Sequence, residues 1–388
     1  MKVILIHNFY QLAGGEDAVF KNEQALLQKK GHEVIVYTTD NSQISTLFAK
    51  MTLVVNAIFS FSQYRKLKAF LTAEKPDVVH VHNYFPIISP AVFYACKKVG
   101  VPVVHTLHNY RAICPTALLM HDGKVNERSV THNSWWTVWK KVYRDSVIGS
   151  FSLACMVELH KHLGTWQSKV SVFIALTEFA KSKYKEAGWP VEKIRVKPNF
   201  IEDPFNGKLS IDKRGGYAIY IGRLSEEKGI NILLSAWQGM EFPLKIIGDG
   251  PLKSVVESNT SPFIEYLGLK SKTEVLELVQ NANFIVMAST WFEGFPMVLV
   301  EAFACGTPAI VPKLGSMEEI ITPNKTGLHF ETNEAEALAK QVNLMIANPN
   351  ETLQMGKNAR LEYLNYYTPE KNIELLEGIY RAAFKQAL

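Results

Sequence analysis

Short Val/Ile-rich runs alternate with helix-length segments from one end of the chain to the other, which restricts it to βαβ units around parallel sheets. Residues 2–6, 33–38, 77–81, 102–106 and 170–176 read as a first series of strands. Helices are expected at 16–30, 64–73 and 90–98, where apolar positions recur at helical spacing. A stretch interrupted by Pro198, Pro204, Gly207 and Gly215-Gly216 follows. Beyond it comes a second series of strands, 217–221, 244–247, 263–267, 284–288 and 308–311, with helices starting at Ile230, Pro251, Lys272, Met297 and Ser316. The chain has 388 residues, more than one hydrophobic core usually serves. The expected fold class is therefore α/β, with two Rossmann-like doubly wound domains. Residues 1–200 are expected to form the first, completed by a helix at 369–388, and residues 205–368 the second.

Composition removes several function classes. Hydrophobic residues make up 47% and charged residues 20%, too apolar a balance for a disordered chain. The net charge of +5 is mild, and its basic residues are scattered apart from Lys140, Lys141 and Arg144, so no nucleic-acid partner is expected. The apolar run at residues 3–6 is too short for a signal-peptide core, and no later run has the length to span a bilayer; a cytoplasmic protein is expected. Cys96, Cys114, Cys155 and Cys305 form neither a CxxC pair nor a metal-ligand spacing, and read as reduced structural thiols.

In open α/β sheets ligands bind outside the carboxyl ends of the strands, which selects five places in this chain. Gly14-Gly15 lies between the first strand and first helix, where a backbone without side chains can approach a phosphate. Two similar strand ends each deliver a His-Asn pair, His82-Asn83 and His108-Asn109, and His108 is the better candidate for contact with a reacting group. Gly222-Arg223 through Lys228-Gly229 sets two cations five residues apart before a helix, a pattern suited to a diphosphate. Gly248-Asp249-Gly250-Pro251 reads as a tight strand-to-helix turn. The most specific signal is Glu293-Gly294-Phe295-Pro296-Met297-Val298 followed by Glu301, two carboxylates carried by one strand-loop-helix unit. The free backbone N–H groups of Phe295, Met297 and Val298 suit hydroxyl or phosphate oxygens, whereas Pro296 donates nothing. A glycosidase would need its two acids on opposite faces of the sugar, and one such unit does not provide that.

These motifs, in this order, resemble the retaining glycosyltransferases of the GT-B architecture, group-one type. The resemblance rests on Gly14-Gly15, on the Gly-Arg-x-x-x-x-Lys-Gly segment at Gly222–Gly229, and on the E-x7-E signature at Glu293 and Glu301, and it spans nearly the whole chain. It implies two domains facing each other across a cleft, an N-terminal domain on the acceptor side and a C-terminal domain that holds a nucleotide sugar. Arg223 and Lys228 would neutralise the diphosphate, Glu301 would bind the ribose and Glu293 the sugar hydroxyls. The backbone near Gly268 and Leu269 would meet the nucleobase, and His108 would orient the sugar. UDP-sugars are the common donors of such enzymes, and UDP-glucose is the first to consider. No Asp-x-Asp occurs, so no metal site and no cofactor is expected, and fixed cations would stabilise the leaving diphosphate.

For the acceptor, Trp135, Trp136 and Trp139 combine with Lys140, Lys141, Tyr143 and Arg144 in a stretch expected to be helical, a mixture that suits an anionic membrane surface. With Phe59, Phe61, Tyr64 and Arg65 as neighbours, this supports a saccharide or lipid-linked saccharide acceptor used in polysaccharide assembly, and peripheral contact with the inner face of the cytoplasmic membrane. The alternatives are a nucleotide-sugar epimerase of the same fold and a catalytically silent sugar-nucleotide-binding subunit. An NAD-dependent oxidoreductase fits less well, because His7-Asn8-Phe9-Tyr10 stands where a G-x-G-x-x-G fingerprint would begin.

Overall fold

The computed structural model describes residues 1–10, 14–41, 52, 54–209, 211 and 214–387. The chain divides into two compact units: Met1–His121, Asn126–Asn199 and Asn372 onward form the first, Asp122–Val125 and Phe200–Lys371 the second.

The first unit holds a parallel six-stranded sheet of β1 (Lys2–Phe9), β2 (Glu33–Asp40), β3 (Val78–Val81), β4 (Val103–Leu107), β5 (Val172–Ala175) and β6 (Ile194–Val196), in the order β2-β1-β3-β4-β5-β6. Val3, Ile4, Leu5, Ile6, Val78 and Val79 are fully buried. Continuous apolar strands of this kind belong to a parallel sheet covered on both faces. The helix Gly15–Lys29 buries Val19, Phe20, Glu23, Leu26 and Leu27, so a carboxylate stands in the middle of its apolar stripe. The last helix, Pro369–Ala387, sends Tyr380 into this unit, where its hydroxyl lies 2.9 Å from His80 Nδ1.

The second unit repeats the plan with β7 (Ala218–Ile221), β8 (Leu244–Ile247), β9 (Ile264–Gly268), β10 (Phe284–Val286), β11 (Ala309–Pro312) and β12 (Gly327–Phe330), ordered β9-β8-β7-β10-β11-β12. Alternate residues supply two cores, one on each face of the sheet. Ile219, Ile285 and Val311 point to one side with Phe303 and Met317, while Tyr220, Phe284 and Ile310 point to the other with Leu233 and Leu338.

In both sheets the strand order reverses beside the first strand of the unit: between β1 and β3 in one, between β7 and β10 in the other. In doubly wound sheets ligands bind at the carboxyl ends of the strands beside such a switch point.

The structure departs from expectation in three respects. Strands β6 and β12, and the helices Val147–His162, Glu178–Glu186, Ala335–Ala347 and Pro349–Tyr366, were among the elements not anticipated. The helix expected from Pro251 starts at Lys253. The stretch at Trp135–Arg144 is not a continuous helix: one turn, Trp136–Trp139, is followed by left-handed backbone at Lys141 (φ 49°) and Arg144 (φ 52°). Helix resumes only at Val147, capped by the Ser146 hydroxyl on the Gly149 N–H.

Candidate functional site

At the switch point of the second unit, the loop after β7 and the loop after β10 meet. Gly229 makes this possible: its φ is +70°, and a Cβ there would fall 1.8 Å from the Ala288 carbonyl oxygen. Thr290 N–H donates to the Glu227 carbonyl at 2.9 Å and ties the two loops together. The neighbouring turn is fitted as tightly. Gly248 and Gly250 have φ of +144° and +158°, and a Cβ on either would strike the backbone of Gly222 or Leu224. These two glycines therefore serve loop packing, as expected of a tight turn.

The closed loops set Lys228 Nζ 2.6 Å from Glu293 Oε1. The same oxygen accepts from the Ser289 hydroxyl at 2.7 Å and the Trp291 indole N–H at 3.1 Å, and the ammonium lies 5.3 Å from the Trp291 ring centroid. Glu293 is buried, and three donors on one oxygen fix its side chain while Ser316 Oγ donates to its main-chain carbonyl. Arg223 is exposed and has no ion pair among the described residues. It is a free cation at the end of the strand that leads to Lys228.

Past Glu293, residues Gly294, Phe295 and Pro296 lead into the helix Met297–Ala304, which begins with Met297 and Val298 and carries Glu301 in its second turn. Glu301 is half-buried, and burial raises its carboxyl above the ordinary range, opposed only in part by Lys272. Gly268 ends β9 at φ +67°, and Leu269 beyond it is 74% exposed, an apolar side chain presented to solvent. Arg223, Lys228, Gly268, Leu269, Glu293 and Glu301 thus all stand at the carboxyl edge of one sheet.

In the first unit the twin His-Asn strand ends make twin structures. Asn83 Oδ1 accepts the N–H of Phe85 and Asn109 Oδ1 that of Arg111, each an Asx turn that bends the chain away from its strand. Both asparagine amides reach Glu16, Asn83 at 3.3 Å and Asn109 at 3.4 Å. Burial, with Asp17 nearby, pushes the Glu16 carboxyl up to about 7. His82 is buried and stacks on half-buried His108, with His82 Nδ1 3.1 Å from His108 Nε2. Burial drives both imidazoles well below their ordinary range, so both are neutral at pH 7. Gly14 and Gly15 are exposed with open space beside them, and Asp17 caps the helix through the Gly14 N–H.

The four cysteines are free thiols, and Cys114 Sγ lies 3.2 Å from the Thr116 hydroxyl. Glu23 and Lys197 were not singled out from the sequence, and Glu16 only as the start of the first helix. Glu23 had left a readable signal, an acid on an apolar helical stripe.

Two family models match. The Glycosyltransferase Family 4 model covers residues 14–203 and the Glycosyl transferases group 1 model residues 202–362. An uncharacterized glycosyltransferase of Methanocaldococcus jannaschii is 23% identical over 98% of both chains. The alpha-monoglucosyldiacylglycerol synthase of Acholeplasma laidlawii is 29% identical over 75% of this chain and 72% of its own. Among solved structures, HepE of Anabaena in complex with UDP superposes with a TM-score of 0.67 at 16% identity, covering 98% of this chain and 100% of that one. The same protein has been solved with UDP-glucose. With both models in sequence order along two doubly wound sheets, the chain belongs to the group 1 glycosyltransferases of GT-B fold.

Proposed function

We propose that this glycosyltransferase moves a hexose from a UDP-sugar, with UDP-glucose first in line, to a saccharide or lipid-linked saccharide acceptor in polysaccharide assembly. The observation that carries the reading is the cation and carboxylate set of the second unit: Lys228 held on Glu293, with Arg223 and Glu301, one helical turn inside the next helix, both without an ion-pair partner among the described residues. The UDP and UDP-glucose complexes of HepE support the choice of donor.

In this reading Arg223 and Lys228 take the diphosphate, Glu301 the ribose hydroxyls, and the backbone at Gly268 and Leu269 the base. Glu293 and the N–H groups of Phe295, Met297 and Val298 take the sugar hydroxyls. In the first unit, His108 contacts a sugar hydroxyl, and Gly14-Gly15 leaves room for a donor oxygen. The bond from C1 of the sugar to the leaving phosphate oxygen breaks as the acceptor oxygen bonds C1 on the same face, so the anomeric configuration is retained. The acceptor proton passes to the departing diphosphate. Two fixed cations beside that diphosphate do the work a metal does elsewhere, so the reaction needs none.

A membrane-surface acceptor is part of the proposal. Trp139 is 83% exposed, and Ile148 and Phe151 stand outward on the following helix, with Phe151 5.9 Å from the Trp135 ring. Trp136 is excluded from this surface, being buried with its N–H on Ser129. No helix among the described residues is long and apolar enough to cross a membrane, so contact would be peripheral. Sedimentation with anionic vesicles tests this part, with Trp139→Ser plus Phe151→Ser losing the bound fraction; absence of binding by the native chain removes it. Transfer itself is tested by incubating the chain with UDP-[14C]glucose and a panel of lipid-linked saccharides, with and without EDTA. Metal-dependent or inverting transfer contradicts the mechanism.

A further inference from the structure

Beneath His108 lies a buried polar cluster that the reaction as described does not use. Glu23 and Lys197 are both fully buried and paired at 2.6 Å, with Asn372 Oδ1 3.3 Å from the same ammonium. Among the described residues the second carboxylate oxygen, Glu23 Oε2, has no hydrogen-bond partner, and neither does His82 Nε2. These two atoms face each other at 3.5 Å, while His80 Nδ1 stands 3.8 Å from the same oxygen.

Glu23, His80 and His82 are near enough to hold a metal ion. The Lys197 ammonium already supplies the positive charge to Glu23, and both His80 nitrogens have other partners, Tyr380 Oη at 2.9 Å and Thr106 Oγ1 at 2.7 Å. The arrangement is that of a proton-positioning chain.

An ionised carboxylate only accepts hydrogen bonds. The state that turns the facing of these two atoms into an attraction, across 3.5 Å and so longer than an ordinary hydrogen bond, puts the His82 proton on Nε2, the nitrogen nearer Glu23 Oε2. His82 Nδ1 is then bare. Of the two nitrogens facing each other at 3.1 Å, the proton must belong to His108 Nε2. His108 Nδ1 is then left as a lone pair with no partner among the described residues. The opposite tautomer of His82 would aim a lone pair at a buried carboxylate and leave both unsatisfied.

We infer that Glu23 is a positioning residue: through His82 it fixes the tautomer of His108, so that His108 presents Nδ1 as a hydrogen-bond acceptor for a substrate hydroxyl. The neutral state of all three histidines agrees with this. The inference rests on the sugar-contacting role proposed for His108. It adds that this contact accepts a hydroxyl proton and cannot donate one.

Two-bond 1H–15N spectra of the histidine-labelled full chain at pH 7.5 read tautomers directly. His82 and His108 are expected as Nε2–H forms, assigned through His82→Gln and His108→Gln. In Glu23→Gln the shifts should move toward a mixture of tautomers. The apolar pair Glu23→Leu with Lys197→Met, which leaves no unpaired ammonium, should do the same if the single variant does not fold. An Nδ1–H tautomer at His108, tautomers indifferent to loss of Glu23, or stoichiometric Zn²⁺ bound at the Glu23, His80 and His82 cluster would each overturn the inference. With an active acceptor, Glu23→Gln should lower kcat about tenfold with UDP affinity unchanged. If the tautomers are as stated but no sugar nucleotide binds, the proposed function fails and the positioning chain stands; transfer with the wrong tautomers gives the reverse.

Discussion

Lys228 Nζ lies 2.6 Å from Glu293 Oε1, so the cation that the sequence assigns to a phosphate is neutralised by the carboxylate assigned to a sugar. In the proposed function, a diphosphate arriving at Lys228 would compete with Glu293 for the same ammonium. The two substitutions should therefore have opposite effects on nucleotide binding. Lys228→Ala is expected to weaken UDP by about ten- to a hundredfold, the cost of one charge-assisted hydrogen bond. Glu293→Gln should leave UDP affinity equal or higher while abolishing transfer. Calorimetric titration with UDP checks both, and a Glu293→Gln variant that loses UDP along with activity contradicts the competition.

Two sets of glycines should separate fold from binding. Gly229→Ala drives a methyl into the Ala288 carbonyl at a left-handed φ, and is expected to cost more than about 3 kcal/mol. Gly14→Ala and Gly15→Ala meet no atom of the described residues within 4 Å. Their effect on stability should stay within about 1 kcal/mol, because the fold does not require glycine there. Urea unfolding of the three variants distinguishes them; a Gly15→Ala protein as unstable as Gly229→Ala contradicts the account.

Acid should destabilise the first unit through its buried histidines. Burial lowers His7, His80, His82 and His108, and pushes His105 down to about 4. Below about pH 6.5 the unfolded chain takes up protons that the folded chain refuses, so stability is full above 6.5 and is lost as the pH falls toward the folded values. The melting temperature should drop steadily between pH 7 and pH 5. A flat profile across that range contradicts the neutral, buried assignment.

Glu16 should titrate near neutrality. Its carboxyl is raised to about 7 by burial, so between its unfolded value and about pH 7 the folded chain holds a proton that the unfolded chain has lost. Its contribution to stability is present at low pH and disappears as the pH rises to 7, opposite in sign to the histidines. Side-chain carboxyl 13C NMR should show a midpoint near 7 that is absent from Glu16→Gln; a midpoint in the ordinary glutamate range contradicts the environment described.

The fold was readable because parallel strands buried on both faces are written as unbroken apolar runs, as in residues 3–6. Strands β6 and β12 were not, because Ile194-Arg195-Val196 and Gly327-Leu328-His329-Phe330 each carry a polar residue inside the strand and offer no unbroken apolar run. In β12, Gly327 is needed because a Cβ there would meet the Ala309 carbonyl at 2.0 Å, a packing constraint that periodicity does not encode. At the switch points, Lys228, Glu293 and Glu301 were visible as local motifs, yet the pairing of Lys228 with Glu293 spans 65 residues and depends on β7 and β10 being neighbours. The His82–His108 contact likewise needs the order β3-β4. Glu23 and Lys197, 174 residues apart, could be joined only by the three-dimensional fold.

The most direct test of the account is calorimetric titration of the full chain with UDP-glucose, UDP-galactose, GDP-mannose and ADP-glucose, with Arg223→Ala and Glu301→Ala beside it. The account predicts stoichiometric binding of a UDP-sugar, weakened at least tenfold in both variants while their melting temperatures stay close to that of the native chain. A well-folded chain that binds none of these donors, or that binds one with affinity untouched by both substitutions, contradicts the assignment of the second unit as the nucleotide-sugar site.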